Sequence, residues 1–388
     1  MQGAKKTKKF ISFTLTNVSY LCYLSEIDNM AVFYPLKTKR LTKETADCTS
    51  VTFELPENLI EEFRFIQGQY LTLKAEIDGE EVRRSYSLCS SPIDGELKVA
   101  VKKIPDGTFS SYVNDELKEG DVLEVMTPMG EFYTELNPNN QKDYIAFAAG
   151  SGITPIMSIM KTVLEAEPNS TFTLFYVNKY ASTVIFKEEI EGLKNRFLNR
   201  LRVFHFFTRE ISDIPLFSGR MTGEKTEQVL DKLIDLKKDH EFFLCGPQEM
   251  IFAVRDTLEQ VGVNKKHIHF ELFTPTDGSE GKKRIQEKIG NKEKVCEVFI
   301  KDGGNSFGFN LPLGTDNILD AAVARGADLP YSCKGGVCST CKAKLVEGEI
   351  EMAVNYALEP EEVEAGYILS CQAYPLSEKV VVDFDEAL

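Results

Sequence analysis

Four short, mainly apolar runs dominate the middle of the chain, the continuous Tyr144–Ala149 and then Phe172–Val177, Leu201–Phe206 and Glu241–Cys245, with helix-like stretches between them, the first from Thr154 to Glu165. A strand that is apolar at nearly every position has to be covered on both faces. Helices that alternate with such strands supply that cover and give the long connections that parallel pairing needs. An α/β doubly wound parallel sheet is therefore predicted over 137–275. The text before it follows a different rule. Between Phe33 and Tyr133 the apolar residues come in short alternating runs, Ser50–Leu55, Tyr70–Leu73, Leu97–Val101 and Val122–Val125, and Asp78-Gly79 and Asp94-Gly95 read as hairpin-type turns. This predicts a small antiparallel β-barrel over 33–136.

Two further segments complete the layout. Residues 276–294 are rich in Lys, Glu and Gly and poor in large apolar residues, which predicts a flexible linker. Residues 295–388 read as a compact α+β unit of short strands around a cysteine-rich loop. Residues 1–32 are expected to form a disordered extension. An upstream start before Met30, or a targeting segment built on basic Lys5–Lys9 and moderately apolar Phe10–Leu24, are the other readings. A length of 388 residues suits two or three domains. No segment reads as a membrane span. The net charge of −15 argues against nucleic acid or an anionic membrane as partner. Much of it sits late: Val295–Leu388 carries 6 Lys and Arg against 16 Asp and Glu. Such a surface either steers the domain onto a basic partner or only keeps it in solution.

The late segment also holds Cys333, Cys338 and Cys341, in Tyr331-Ser332-Cys333-Lys334-Gly335-Gly336-Val337-Cys338-Ser339-Thr340-Cys341, and Cys371 further on. Four residues separate the first pair and two the second. A plant-type [2Fe–2S] cluster uses this spacing, with its fourth thiolate from a distant point in the chain. Gly335 and Gly336 let the loop turn tightly and aim N–H groups at sulfur. The other five of the nine cysteines, Cys22, Cys48, Cys89, Cys245 and Cys296, show no paired spacing. That pattern suits a reducing compartment and predicts a cytoplasmic protein. His205, His240, His267 and His269 lack metal-ligand spacing and read as core or surface residues.

Arg84-Ser85-Tyr86-Ser87 lies at the end of a predicted barrel strand. A guanidinium can neutralise a phosphate, and a tyrosine ring offers a flat packing face. The tetrapeptide resembles the Arg-x-Tyr-Ser motif of the ferredoxin–NADP reductase superfamily. That resemblance implies Arg84 at a flavin phosphate, Tyr86 against the flavin ring and the Ser87 hydroxyl at its N5. Gly107-Thr108-Phe109-Ser110-Ser111 resembles the helix opening of the same family. There Gly107, Phe109 and Ser110 border the flavin diphosphate, held by backbone N–H groups and the Ser110 hydroxyl. Pro128–Phe132 is similar to the family's barrel-closing turn. The family implies FAD; FMN serves a sister group with the same domain order.

Ala148-Ala149-Gly150-Ser151-Gly152-Ile153-Thr154-Pro155 is a strand, a glycine loop and a helix start. In the family it cradles the dinucleotide diphosphate through Gly150 and Gly152, with Thr154 near the nicotinamide. Cys245-Gly246-Pro247 ends a strand at the sheet edge where ligands bind. The resemblance puts Cys245 near nicotinamide C4; a buried structural cysteine is the alternative. It also puts Glu271, in His269–Phe273, beside flavin and nicotinamide, for polar positioning or proton supply. Ser87, Cys245 and Glu271 are thus the expected catalytic residues. Lys179 and Arg209 are candidates for a nucleotide 2′-phosphate, or else surface charges. NADPH is favoured over NADH.

In domain order the chain from Met30 onward resembles reductases of multicomponent bacterial oxygenases that carry a C-terminal ferredoxin domain, a β-grasp fold. The long stretch Leu329–Lys344, with Asn355–Leu358 and Gly366–Pro375, resembles reductase subunits of phenylacetyl-CoA epoxidases. Residues 1–29 have no counterpart in that pattern. The resemblance implies electron flow from NADPH through FAD and [2Fe–2S] to oxygenase subunits, here a di-iron complex of phenylacetate catabolism. A reductase for another hydroxylase or desaturase, or a general ferredoxin reductase, is the alternative, and a flavin and cluster redox sensor a remote one.

Overall fold

A computed structural model describes residues 32–273, 279–289 and 294–387. The expected extension therefore lies, apart from Val32, outside the described residues, as does Cys22. The described chain divides into two compact units. One takes in residues 33–273 and Ser332–Ser339, the other residues 279–331 and 340–387.

The first unit begins with β1 (Phe33–Thr45), β2 (Cys48–Glu54), β3 (Tyr70–Ile77), β4 (Glu80–Ser87), β5 (Leu97–Lys102) and β6 (Val122–Met126). They form an antiparallel sheet in the order β4-β3-β6-β1-β2-β5. A bridge between Leu88, just past β4, and Val99 in β5 joins the two edges, so the sheet closes. Leu36, Val51, Leu71, Leu73, Val99 and Val125 fill its interior, and α1 (Thr108–Asp115) adds Phe109 and Val113. Asp78 and Gly79 form the two-residue β3–β4 hairpin, with φ of +53° and +79°. Both lie in the left-handed region that a type I′ turn demands. Asp94-Gly95 differs from expectation. It ends a 3-10 turn, Pro92–Asp94, because the Asp94 carboxylate accepts the Ser91 N–H at 2.9 Å and caps the turn.

The same unit continues with β7 (Asp143–Ala149), α2 (Ile153–Ala166), β8 (Thr171–Asn178), α3 (Lys187–Arg196), β9 (Leu201–Phe207), α4 (Gly223–Leu233), β10 (His240–Gly246), α5 (Gln248–Gln260) and β11 (Ile268–Leu272). The strands are parallel, in the order β11-β10-β7-β8-β9. The chain leaves β7 toward β8 and later returns on its other side as β10. The crevice between their carboxyl ends is the switch point where such sheets bind ligands. Tyr144, Ala146, Ala148, Phe172, Leu174 and Tyr176 pack with α2 on one face. On the other face Phe147 meets Phe175 with ring centroids 4.8 Å apart. Helix α2 is apolar nearly all round because the barrel covers its outer side: Ser91 Oγ and Thr162 Oγ1 lie 3.0 Å apart.

The second unit opens on α6 (Ser279–Ile289), inside the segment expected to be a flexible linker. Ile285, 1 % exposed, packs with Ala353, Tyr374 and Ile289, while Arg284 and Lys288 pair with Glu351 at 2.9 and 2.6 Å. Composition hid this helix, because two isoleucines four residues apart make one apolar stripe in an otherwise charged stretch. Seven strands follow: β12 (Val295–Asp302), β13 (Asn305–Pro312), β14 (Lys342–Glu347), β15 (Ile350–Met352), β16 (Tyr367–Leu369), β17 (Ala373–Pro375) and β18 (Lys379–Asp383). Five form a mixed sheet, β13-β12-β18-β14-β16, in which only β12 and β18 run parallel; β15 pairs with β17. Helix α7 (Ile318–Val323) sets Ile318, Leu319 and Ala322 against Val298, Ile300, Val380 and Val382. Among the described residues no helix is long and apolar enough to cross a membrane.

Candidate functional site

Strand register carries Cys245 and Glu271 to the carboxyl edge of the parallel sheet. Cys245 lies opposite Ala148 of β7 on one side and Glu271 of β11 on the other. Ser87, the last residue of β4, comes from the barrel and donates from Oγ to Glu271 Oε2 at 3.2 Å. The three expected catalytic residues, far apart in sequence, thus meet where barrel and sheet adjoin. Cys245 is 0 % exposed and Ser87 4 %. Burial pushes the Glu271 carboxyl up to about 8, and the Ser87 hydrogen bond offsets only part of that. Near neutral pH the carboxyl is mostly protonated, so it can donate as well as accept. Burial, and then the Glu271 charge, push the Cys245 thiol well above its usual range. Cys245 is therefore a neutral, apolar wall and not a nucleophile.

The glycine loop packs onto the same edge. A Cβ on Gly152 would stand 2.2 Å from the Cys245 carbonyl oxygen, so only glycine lets α2 start this close to β10. On Gly246 a Cβ would meet Ala149 Cβ and Met250 Cε, each at 2.9 Å. Pro247 caps α5. Thr154 is buried and donates to the Ser151 carbonyl at 3.0 Å, so its hydroxyl shapes the loop. Lys179 and Arg209 follow β8 and β9, both exposed, and the Arg209 N–H donates to the Lys179 carbonyl at 3.1 Å. The structure thus joins the two residues through their backbones, at the ends of neighbouring strands.

On the barrel, Arg84 is exposed, with Nη1 on the Arg83 carbonyl at 2.7 Å. Tyr86 is partly exposed and its ring tilts over Phe109, centroids 5.7 Å apart. Phe109 itself belongs to the barrel core. The Ser110 side chain departs from expectation. It is buried, accepts from the Ile104 N–H at 3.2 Å and donates to the Gly107 carbonyl at 3.2 Å. A Cβ on Gly107 would stand 2.4 Å from Ser110 Oγ. Ser110 thus folds the loop, and what this segment offers an anion is the N–H groups of the first turn of α1. A guanidinium, a flat ring, an open helix start and a buried serine–carboxyl pair together fit a flavin nucleotide.

In the loop Ser332–Ser339, Cys333 Sγ accepts from the Gly335 N–H at 3.3 Å and from Cys338 Sγ at 3.1 Å. The Cys338 thiol, then the Gly335, Val337 and Cys338 N–H groups, outweigh burial and lower the Cys333 thiol. The inward-facing backbone N–H groups are the kind of donors that sulfur ligands of an iron–sulfur centre accept. In the second unit Cys341 precedes β14 and Cys371 follows β16, and those strands pair. Ser370 donates to the Cys341 carbonyl through both N–H and Oγ at 3.0 Å, and Gln372 Nε2 lies 3.8 Å from Cys371 Sγ. Among the described residues no group of three or more His, Cys, Asp or Glu side chains is arranged as a metal site. The expectation that the four cysteines act together rests on their spacing in the sequence.

One polar cluster escaped sequence reasoning. Glu241, 4 % exposed, takes Lys142 at 2.8 Å, His267 at 3.1 Å and His269 at 3.0 Å. Burial works against its charge, yet the bonds from His269, Lys142 and His267 hold its carboxyl down at about 2. These residues come from separate elements, and no local spacing announces them.

Comparison with known proteins covers the same three parts. The chain matches an oxidoreductase FAD-binding domain over residues 35–133, an oxidoreductase NAD-binding domain over 147–256 and a 2Fe-2S iron-sulfur cluster binding domain over 300–376. It is 42% identical over 356 residues to one of the subunits of the 1,2-phenylacetyl-CoA epoxidase of Escherichia coli K12, covering 92% of this chain and 99% of that protein. It is 32% identical over 353 residues to the ferredoxin reductase component of 3-ketosteroid-9-alpha-monooxygenase from Rhodococcus rhodochrous, covering 90% and 96%. Among solved structures, phthalate dioxygenase reductase shares the fold, with a TM-score of 0.55, 24% identity and coverage of 90% and 98%.

Proposed function

The chain belongs to the family of FAD- and [2Fe–2S]-containing reductase components of oxygenases, and from that premise we propose that it takes electrons from NADPH and passes them to the oxygenase subunits of a phenylacetyl-CoA epoxidase. The observation that carries this reading is the 42% identity across 99% of the matching component of the Escherichia coli epoxidase. When bound, the nucleotide supplies a hydride, the flavin takes up its two electrons and the cluster passes them on singly.

The chain's own residues set the conditions. Gly150 and Gly152 expose backbone to the dinucleotide diphosphate, with Gly246 and Pro247 beside them and Thr154 shaping the turn. Lys179 and Arg209 hold the 2′-phosphate, which selects NADPH over NADH. Arg84 and the first turn of α1, beginning after Gly107, neutralise the flavin phosphates, and Tyr86, backed by Phe109, packs against its ring. Cys245 keeps water from the hydride path. Ser87 Oγ would face the reacting edge of the flavin, and the Glu271 carboxyl that accepts its hydrogen bond, protonated near neutral pH, keeps a proton within reach of that edge. Cys333, Cys338, Cys341 and Cys371 hold the cluster. We assign a cytoplasmic location, since these thiolates need a reducing compartment.

The test mixes the purified chain with phenylacetyl-CoA epoxidase oxygenase subunits, phenylacetyl-CoA and either nucleotide. Epoxide should form in step with NADPH oxidation, with kcat/KM higher for NADPH than for NADH. Brisk reduction of an artificial one-electron acceptor without coupling would move the chain to another oxygenase. Its 32% identity to the ketosteroid monooxygenase reductase favours that second reading. A preference for NADH would remove the phosphate role from Lys179 and Arg209.

A further inference from the structure

Tyr176 lies on β8, on the face that packs against α2, and is 0 % exposed. A buried phenol with no partner would be costly. Here it has two, from two different loops at the carboxyl edge of the sheet. Its oxygen accepts the Ile185 N–H at 3.3 Å, in the connection that enters α3. Its proton goes to the Gly150 carbonyl at 3.0 Å, in the connection that enters α2. The direction of the bonds follows from the groups: the amide can only donate, so the hydroxyl proton is left for the carbonyl. Burial pushes the phenol well up, so it stays a donor throughout the physiological range.

The carbonyl it grips is a sensitive one. Gly150 has φ of +53°, in the left-handed region, and the space where its Cβ would be is open for 4 Å. Two residues on, Gly152 is wedged against the Cys245 carbonyl. The loop is thus anchored at Gly152 by contact, and its Gly150 carbonyl takes two hydrogen bonds, one from the Ile153 N–H of its own turn and one from Tyr176 outside it. The Tyr176 ring is held separately, 5.9 Å from His205 by ring centroids, so removing the oxygen leaves its packing in place.

We propose that Tyr176 is a positioning residue that holds the Gly150–Gly152 loop in its nucleotide-binding shape through its buried hydroxyl. It touches no cofactor; it sets the orientation of backbone that does. The proposal rests on the reading of this loop as the dinucleotide cradle. Loss of the hydroxyl leaves the Gly150 carbonyl held only within its own turn, by the Ile153 N–H, which loosens its orientation and weakens nucleotide capture, while hydride transfer from nucleotide already bound proceeds as before.

The experiment is steady-state reduction of ferricyanide by NADPH with the full-length holoprotein and Tyr176→Phe. KM for NADPH should rise about tenfold, the equivalent of one lost hydrogen bond, with kcat changed by less than about twofold and FAD and iron contents unaltered. An unchanged KM with only a lower melting temperature means that the residue merely supports the fold, and overturns the proposal. If the Phe variant does not accumulate, 4-aminophenylalanine at position 176 retains a donor for the Gly150 carbonyl; it should keep KM near the wild-type value, and a tenfold rise there overturns the proposal equally. Hydrogen exchange on the wild type separates the two readings. If NADP⁺ fails to protect the amides of residues 150–154, the cradle itself is wrong; if it protects them and Tyr176→Phe leaves KM unmoved, only the role of Tyr176 falls.

Discussion

Glu271 is the residue through which pH reaches the site. Its carboxyl titrates at about 8 in the folded protein and, like any exposed glutamate, near 4.3 when unfolded. Between those values the folded state binds the extra proton, so stability falls as pH rises through the window, by at most about 1.4 kcal/mol per pH unit for this group. Glu271→Gln, which is neutral at every pH, should flatten the melting temperature between pH 6 and 9 relative to the parent. Parallel profiles would show that the carboxyl is solvated and ionised in the fold. Glu241 has the opposite sign. Held at about 2, it contributes stability above its unfolded value near 4.3 and loses that contribution as pH falls toward 2. The types Ser, Cys and Glu were legible at positions 87, 245 and 271 from the motifs around them. The protonation of Glu271 was not, because it comes from burial between two domains. Ser110 shows the same limit in reverse: a hydroxyl at a helix opening suggested an anion ligand, and local packing turned it inward.

Among the elements, the parallel strands were the most legible, because strands buried on both faces leave long apolar runs. The barrel strands showed in their alternation, and Asp78-Gly79 in the one dipeptide that suits a tight hairpin. Helix α6 was invisible to composition. Its stripe of Ile285 and Ile289 gains meaning only against Ala353 and Tyr374, some seventy to ninety residues away. Ile285→Ala should remove about 2–4 kcal/mol from that small cluster. Hydrogen exchange would read it as lost protection across residues 279–289, with flavin content untouched. Protection equal to the parent would mean that the two pairs to Glu351 hold the helix without the isoleucine.

At the scale of the whole molecule, the loop Ser332–Ser339 belongs to the same compact unit as the barrel and the parallel sheet, yet it stands apart in sequence from the residues of the flavin site. Cys338→Ala removes one proposed sulfur ligand from that loop and alters none of Ser87, Cys245 or Glu271. It should abolish the iron–sulfur absorbance and leave flavin reduction by NADPH within about twofold of the parent in a stopped-flow trace. Loss of both signals together would show that flavin reduction depends on the intact cysteine loop. The excess of acid over base after Val295 adds a charge that a basic partner surface can steer on.

Order of domains, faces of strands, glycines at close approaches and the spacing of four thiols are all properties of neighbours along a chain, and they could be read there. Convergence is different. Residues 87, 245 and 271 meet because a closed barrel and a five-stranded sheet pack together, and their chemistry depends on how much water that packing removes. The same holds for the grip of Tyr176 on Gly150 and for the docking of α6. Burial and long-range contact set these, and no short window of residues encodes either.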